Sequence, residues 1–477
     1  MELKSGLTLS ETRTRLRSAG QEHLLHFYAE LDPHAQRALI EQIATIELER
    51  LPRLIDQYVR HKQPFTLPTR LEPAPYYARD ARSWNRDQYR AKGEELLRAG
   101  KIAAFTVAGG QGTRLGFDGP KGTYFGTAVT RKPLFRCLAE WILSAHHRFQ
   151  KTIPWYIMTS PLNHAETVAF FQHHAYFGLS ERDVMFFSQG VLPSLDLKTG
   201  NLLLSEKGMV ATNPDGHGGS LRALWTSGAI DDMKRRGVEH LSYVQIDNPL
   251  ARVIDPVFIG LHAAAPDSSA EMSSKMVAKS DPAEKVGVFC RADAKTQVIE
   301  YSDLPREKME ERDPSGNLRF NAGSIAIHMI SVDFVSRLNA GGELSLPLHR
   351  AEKKVPFVDP ATGNTVQPTA PNAVKLEAFV FDALPLCRSS IVYETDRIDE
   401  FAPIKNADGN DSPATCRDIQ TERAARWLEA RGVLVPRSAV GKPECTIEIS
   451  PLTAWDAQDL SRLTLPPAIP PNSELTL

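Results

Sequence analysis

The 477-residue chain carries 56 basic against 58 acidic side chains, a formal net charge of −2 and 42% apolar residues, so it has no overall basic footprint for nucleic acid and reads as an ordinary globular protein of two to three domains. No segment approaches the ~18 apolar residues of a membrane span, and the opening MELKSGLTLSETRTRLRSAG has no apolar core of signal-peptide length. The five cysteines, Cys137, Cys290, Cys387, Cys416 and Cys445, are odd in number and widely spaced, which argues against a disulfide framework or zinc site; a cytoplasmic protein without nucleic-acid or membrane partners is expected.

In chain order, residues 10–62 predict helices. Apolar side chains recur at helical spacing, as in Leu39, Ile43 and Ile46, and Asp32-Pro33 suits the start of the second helix. The proline-rich QPFTLPTRLEPAPYY predicts a linker, and RDQYRAKGEELLRAG a third helix ending at Gly100. From Lys101 the texture changes. IAAFTV, IPWYIMTS, VMFFSQ, HLSYVQIDN and SSIVYETD predict buried strands. Between them KPLFRCLAEWILSAHHRFQ, NHAETVAFFQHHAYF and LRALWTSGAIDDMKRRG predict helices. This alternation predicts an α/β fold with a mainly parallel sheet. EKVGVFCRADAKTQVIEYSD predicts a hairpin beside that sheet, and the closing LPPAIPPNSELTL a frayed tail.

The segment VAGGQGTRLGFDGPKG, residues 107–122, combines a strand end, clustered glycines and the cations Arg114 and Lys121. Glycines let backbone N–H groups approach phosphate oxygens. Two familiar phosphate loops fail on spacing. Pro120 and Gly122 break a GxxxxGK[ST] loop, which argues against a P-loop kinase, and Leu115 replaces the third glycine of GxGxxG. On spacing alone, a glycine turn with a surface lysine remains open.

AGGQGTRLGFDGPKG resembles the nucleotide loop of sugar-1-phosphate nucleotidylyltransferases. MFFSQGVLP, HLSYVQIDNPLARVIDPVFIG, VGVFCRADAKTQVIEYSDLP, RFNAGSIAIHM, LPLHRAEKKVPFVD, VKLEAFVFD and DEFAPIKNADG, in this order, resemble eukaryotic-type UDP-N-acetylhexosamine pyrophosphorylases within the UDP-glucose/UDP-sugar pyrophosphorylase family. The resemblance runs from about residue 19 to 410. It implies a Rossmann-like, GT-A-like nucleotidyltransferase domain with a central mixed sheet at 99–396, an N-terminal helical region at 1–98 and a small C-terminal domain at 397–477. It also implies a uridylyltransferase that makes a UDP-sugar and pyrophosphate from UTP and N-acetylglucosamine 1-phosphate, with N-acetylgalactosamine 1-phosphate as a second substrate.

By that resemblance, Val107, Ala108, Gly109 and Gly110 hold UTP through their backbone, and Arg114 and Lys121 lie along its β- and γ-phosphates. Gln189 reads the uracil edge, Gly216 packs against the base or ribose, and Lys375 meets the nucleotide phosphates. Glu300, Tyr301 and Asn321 bind sugar hydroxyls, while Lys405 binds the attacking sugar phosphate. Asp247 ends an apolar strand, where a carboxylate faces the ligand crevice of an α/β sheet. It is the candidate ligand of Mg²⁺, with Mn²⁺ the alternative metal; a second carboxylate does not follow, since the next residue is Asn248. Taken singly, each lysine also fits a solvated charge and Asp247 a turn.

His217 departs from the family pattern. Acetylhexosamine enzymes usually carry Asn there, whereas UDP-glucose and broad-specificity UDP-sugar pyrophosphorylases usually carry His; the following Gly218-Gly219 matches the acetylhexosamine type. A UDP-glucose or broad-specificity enzyme is therefore the alternative, and a non-catalytic nucleotide-sugar sensor a remote one. His217 is expected to hydrogen-bond sugar rather than act as an acid or base. His173-His174 reads as a solvated pair, and Cys137 and Cys290 as core thiols.

Overall fold

The computed structural model describes residues 6–61, 66–80, 82–342 and 344–477. The chain divides into two compact units, one built from Met1–Thr66, Gln189–Ser220 and Leu344–Val380, the other from Leu67–Ser188, Leu221–Glu343 and Phe381–Leu477.

The larger unit holds a ten-stranded mixed sheet. Its parallel half runs Val184–Ser188, Trp155–Thr159, Ile102–Val107, His240–Gln245. These strands are nearly continuous apolar runs because helices cover both faces, so alternation has nothing to gain. The expected mixed sheet is present, parallel here and again where Val392–Glu394 pairs with Met272–Ala278, and antiparallel elsewhere. Ala322–Ser331 then adds antiparallel to His240–Gln245, and carries Met272–Ala278 and Val288–Ala292 as further antiparallel neighbours. The expected hairpin is present as Val288–Ala292 and Lys295–Ile299, turning at Asp293 and Ala294, both at positive φ. Helix Leu134–Phe149 buries Leu134, Phe135, Leu138 and Trp141 against the sheet core.

LRALWTSGAIDDMKRRG is not one helix. Gly228 at φ +80° divides it into Gly219–Thr226 and Ala229–Arg236. Helix Arg86–Arg98 crosses Pro256–Ala264 at backbone distance: a Cβ on Gly93 would fall 1.8 Å from the Pro256 carbonyl oxygen, and one on Gly260 1.8 Å from that of Tyr89. The C-terminal tail is ordered rather than frayed. Glu474–Thr476 pairs in parallel with Thr446–Glu448, Ile469 is buried, and the Ile469 and Leu434 N–H groups donate to Leu434 and Pro467 carbonyls. Its prolines lack donors, but their carbonyls still accept.

In the smaller unit the N-terminal helices are shorter than their periodicity implies: Leu9–Ser18, Pro33–Thr45 and Leu51–Ile55, with 3₁₀ turns between the first two. Asp32 caps the second by accepting from the His34 and Ala35 N–H groups, with Pro33 at its first position. Leu39, Ile43 and Leu16 bury against Leu195, Leu202 and Val374; Leu195 and Val374 belong to a short antiparallel sheet of Leu195–Asp196, Ala373–Glu377 and His349–Lys353, and Leu202 bridges Leu195.

Candidate active site

In the larger unit, strand register gathers the expected residues at one edge. Val107 opposes Gln245 in parallel, so the glycine loop and Asp247 both leave the carboxyl ends of adjacent strands. Asn321 precedes a strand antiparallel to these, and Glu300 follows one that ends opposite Val288, itself opposite Gly323. Both therefore fall on the same edge. Ile404 donates its N–H to the Asp247 carbonyl at 2.8 Å, which brings the Lys405 segment there too.

The loop is held by its own backbone. Gly112 N–H donates to Gly119 (3.0 Å), Lys121 N–H to Gly110 (3.1 Å), and Ala108 N–H to Met158 (2.7 Å). Buried Asn163, which the sequence reading did not single out, donates through Nδ2 to the carbonyls of Ala108 (3.1 Å) and Gly110 (3.3 Å) and accepts the Ser160 N–H. These bonds occupy the Ala108, Gly110 and Gly119 carbonyls and the N–H groups of Ala108, Gly112 and Lys121, while those of Gly109 and Gly110 make no backbone bond among the described residues. A Cβ on Gly110 would meet nothing within 4 Å, so that glycine is open toward solvent. Lys121 Nζ lies 3.5 Å from Asp247 Oδ2, each side chain 15% exposed. Arg114 is exposed, with no ion pair among the described residues. Lys405 Nζ is 3.7 Å from Asp411 and over the Phe401 ring at 5.6 Å.

At the far end of this edge, the Asn321 carbonyl accepts from Lys279 N–H (2.8 Å) and Gly323 N–H (2.9 Å), and the Glu300 carbonyl from Asp303 and Leu304. Gly287, whose carbonyl accepts the Ser324 N–H at 2.8 Å, would place a Cβ 3.3 Å from Glu300 Oε1. Tyr301 is 40% exposed.

The smaller unit, taken by itself, holds Gln189, Gly216, His217 and Lys375. Strands Val191–Pro193 and Thr212–Pro214 pair antiparallel, so Gln189 and Asp215–His217 emerge at one end. Asp215 donates its N–H to Gly190 and accepts the Ala378 N–H; Gly218 donates to Ala378. Gly216 sits at φ +83°, and a Cβ there would lie 2.4 Å from the Ala378 carbonyl oxygen. Only glycine fits both demands. The His217 ring stacks on Phe379 (5.3 Å, 16°), whose other neighbour is His349 (4.3 Å, 21°). Burial and the nearby His349 push His217 down to about 4. The ring is thus neutral at physiological pH; its Nδ1 accepts the Val380 N–H at 3.1 Å, so Nε2 carries the proton and is a donor. Asp215 was also missed. Burial raises its carboxyl to about 7, and Oδ1 is buried without a hydrogen bond. Lys375 stands in a strand opposite Ala351, without an ion pair among the described residues.

A sequence model described as UTP--glucose-1-phosphate uridylyltransferase matches residues 53–412. The chain is 37% identical to the human UDP-N-acetylhexosamine pyrophosphorylase-like protein 1 over 94% of each chain. It is 35% identical to the UDP-N-acetylglucosamine pyrophosphorylase of Saccharomyces cerevisiae, over 95% of this chain and 97% of that one. The crystal structure of the UDP-N-acetylglucosamine pyrophosphorylase of Trypanosoma brucei superposes with a TM-score of 0.82 at 27% identity, over 98% of both chains. A phosphate-cradle loop beside a strand-end carboxylate on a mixed sheet, matched over three quarters of the chain, has one family reading: the chain belongs to the UDPGP family of uridylyltransferases.

Proposed function

We propose that this enzyme transfers uridylyl from UTP to N-acetylglucosamine 1-phosphate, releasing pyrophosphate, with N-acetylgalactosamine 1-phosphate as a second acceptor. The observation that carries the site assignment is the Lys121–Asp247 pair at 3.5 Å beside a glycine loop whose carbonyls are already bonded. An oxygen of the sugar phosphate attacks the α-phosphorus of UTP; the new P–O bond forms as the bond to the bridging oxygen breaks, and the electron pair leaves with pyrophosphate. Such a transfer needs alignment and charge neutralisation more than covalent help. Val107–Gly110 present backbone to the phosphates, Arg114, Lys121 and Lys375 neutralise them, and Lys405 orients the attacking phosphate. Gln189 and Gly216 receive the base and ribose, and His217, Glu300, Tyr301 and Asn321 the sugar.

Asp247 suits Mg²⁺, or Mn²⁺ in its place. No cluster of three or more His, Cys, Asp or Glu metal ligands occurs among the described residues, which fits a cation that takes one carboxylate and completes its shell with phosphates and water. When bound, such an ion neutralises charge on the transferring phosphate. We further propose that 1–98, 99–396 and 397–477 act as helical region, catalytic domain and closing C-terminal domain, in the cytoplasm; five free cysteines are in keeping with that location.

The acetylhexosamine reading is supported by the relatives' names and by the His217 tautomer. Its Nε2–H can donate as an Asn amide would. His217 itself, together with the family's glucose-1-phosphate description, favours the alternative of a UDP-glucose or broad-specificity enzyme. Pyrophosphate release from UTP and Mg²⁺ with N-acetylglucosamine, N-acetylgalactosamine and glucose 1-phosphates separates them. Preference for N-acetylglucosamine 1-phosphate is expected; preference for glucose 1-phosphate overturns the sugar assignment, and release with none leaves a sensor.

A further inference from the structure

Away from the strand edge, the larger unit encloses a second cavity of about 410 Å³ walled by helix Arg86–Arg98, the start of helix Pro256–Ala264, and the segments around 393–400 and 455–457. Its charged groups are many, but their hydrogen-bonding capacity is unevenly used. Every carboxylate there has a partner. Asp255 and Glu400 each lie 2.6 Å from Lys275 Nζ, and Asp396 pairs with Arg79. Glu94 pairs with Arg98, Asp399 accepts from Trp427, and Asp456 accepts two backbone N–H groups of its own turn.

The cations are less committed. Arg148 is paired with Asp459 and lies over Trp455 at 4.1 Å. Arg86, however, makes a single hydrogen bond among the described residues, to the Arg79 carbonyl. Arg90, one turn further along the same helix, makes no hydrogen bond or ion pair among the described residues, and its Nε is buried. Arg252 Nε is likewise buried without a hydrogen bond, 3.7 Å from Glu400. Tyr393, 3% exposed, lines the same wall. Donor capacity is therefore left over on Arg86 and Arg90, and on Arg252 beyond its ion pair with Glu400. Guanidinium forks match the oxygens of phosphate.

The cavity also touches the active-site edge through one short segment. Glu400 on its wall accepts Asn248 Nδ2 through its carbonyl (2.6 Å), Asn248 Oδ1 accepts Ala402 N–H (3.1 Å), and Ile404 N–H reaches Asp247 (2.8 Å). Lys405 is the next residue. From this geometry we propose that the cavity is a binding site for a phosphate-bearing anion, separate from the nucleotide site, whose occupant braces the 396–405 segment that carries Lys405. This inference does not depend on which sugar the enzyme uses.

The test titrates inorganic phosphate and phenyl phosphate into the full chain by calorimetry at fixed ionic strength. Wild type and Lys121→Met are expected to share a saturable site that the Arg86→Met/Arg90→Met double variant weakens at least tenfold. Arg90→Lys, which keeps charge and stem, should recover part of the affinity and guards against a folding defect. Tighter binding of phenyl phosphate identifies an organic phosphoester as the ligand; tighter binding of inorganic phosphate identifies the free ion. Hydrogen–deuterium exchange across 396–405 should slow on phosphate addition in wild type and Lys121→Met, but not in the double variant. Equal binding by wild type and double variant overturns the site. Loss of all binding in Lys121→Met also overturns it, because phosphate would then be seated at the nucleotide loop. Unchanged exchange across 396–405 overturns the bracing.

Discussion

The candidate residues of the two units differ in kind. In the larger unit the site is charged: Lys121 beside Asp247, Lys405 beside Asp411, and a loop whose carbonyls are tied down. In the smaller unit, Gly216 packs against the Ala378 backbone and His217 is uncharged on Phe379, with Lys375 the candidate cation. A polyanion needs countercharge held in place before it arrives. A base or sugar needs shape and donors, and a charge there would only add desolvation cost.

Substitutions can break this contrast, the strongest first. Lys121→Ala should lower kcat on the order of 10²-fold or more, because a preorganised cation is lost where charge develops; kcat near wild type in steady-state assays would remove Lys121 from the phosphate site. Asp247→Asn should abolish the Mg²⁺ titration of activity or most of the activity itself, and an unchanged titration would exclude it as ligand. Lys275→Met addresses the scaffold of the larger unit. It strands the buried carboxylates of Asp255 and Glu400, and urea unfolding should show a loss of about 3–5 kcal/mol.

Smaller effects sharpen the neutral side. The Asp215 carboxyl holds its proton to about 7 in the fold against an ordinary 3.8. The folded state therefore binds more protons between those values, and stability falls as pH rises through them. Asp215→Asn should remove that fall, read as the difference in Tm between variant and wild type from pH 4 to 8. His217→Asn should change kcat less than any of these. With His217 neutral above about 4, wild-type activity should show no inflection near pH 6.5 that the variant lacks; such an inflection would mean that the ring is protonated in use.

Much of this was legible before folding. IAAFTV predicts the strand Ile102–Val107, and Asp32-Pro33 predicts the helix start that the structure shows at Pro33, with Asp32 as its cap. The resemblance named residues that strand register then brings to one edge, among them Asp247, Glu300 and Asn321. Less legible were groups whose role depends on distant partners. Nothing near Asn163 announces that its amide ties the loop 53 residues earlier. Asp215 lies two residues from His217, yet only the Gly190 and Gly219 backbones packed around it mark it as a raised acid.

Apolar runs, glycine spacing and capping residues act over a few positions, so they alone specified the strands, the phosphate loop and the helix starts. The antiparallel half of the sheet, the pairing of the proline-rich tail, the Lys275 triad and the tautomer of His217 arise from contacts between segments far apart in the chain. Burial and long-range pairing decide such features, and both exist only once the chain has closed on itself.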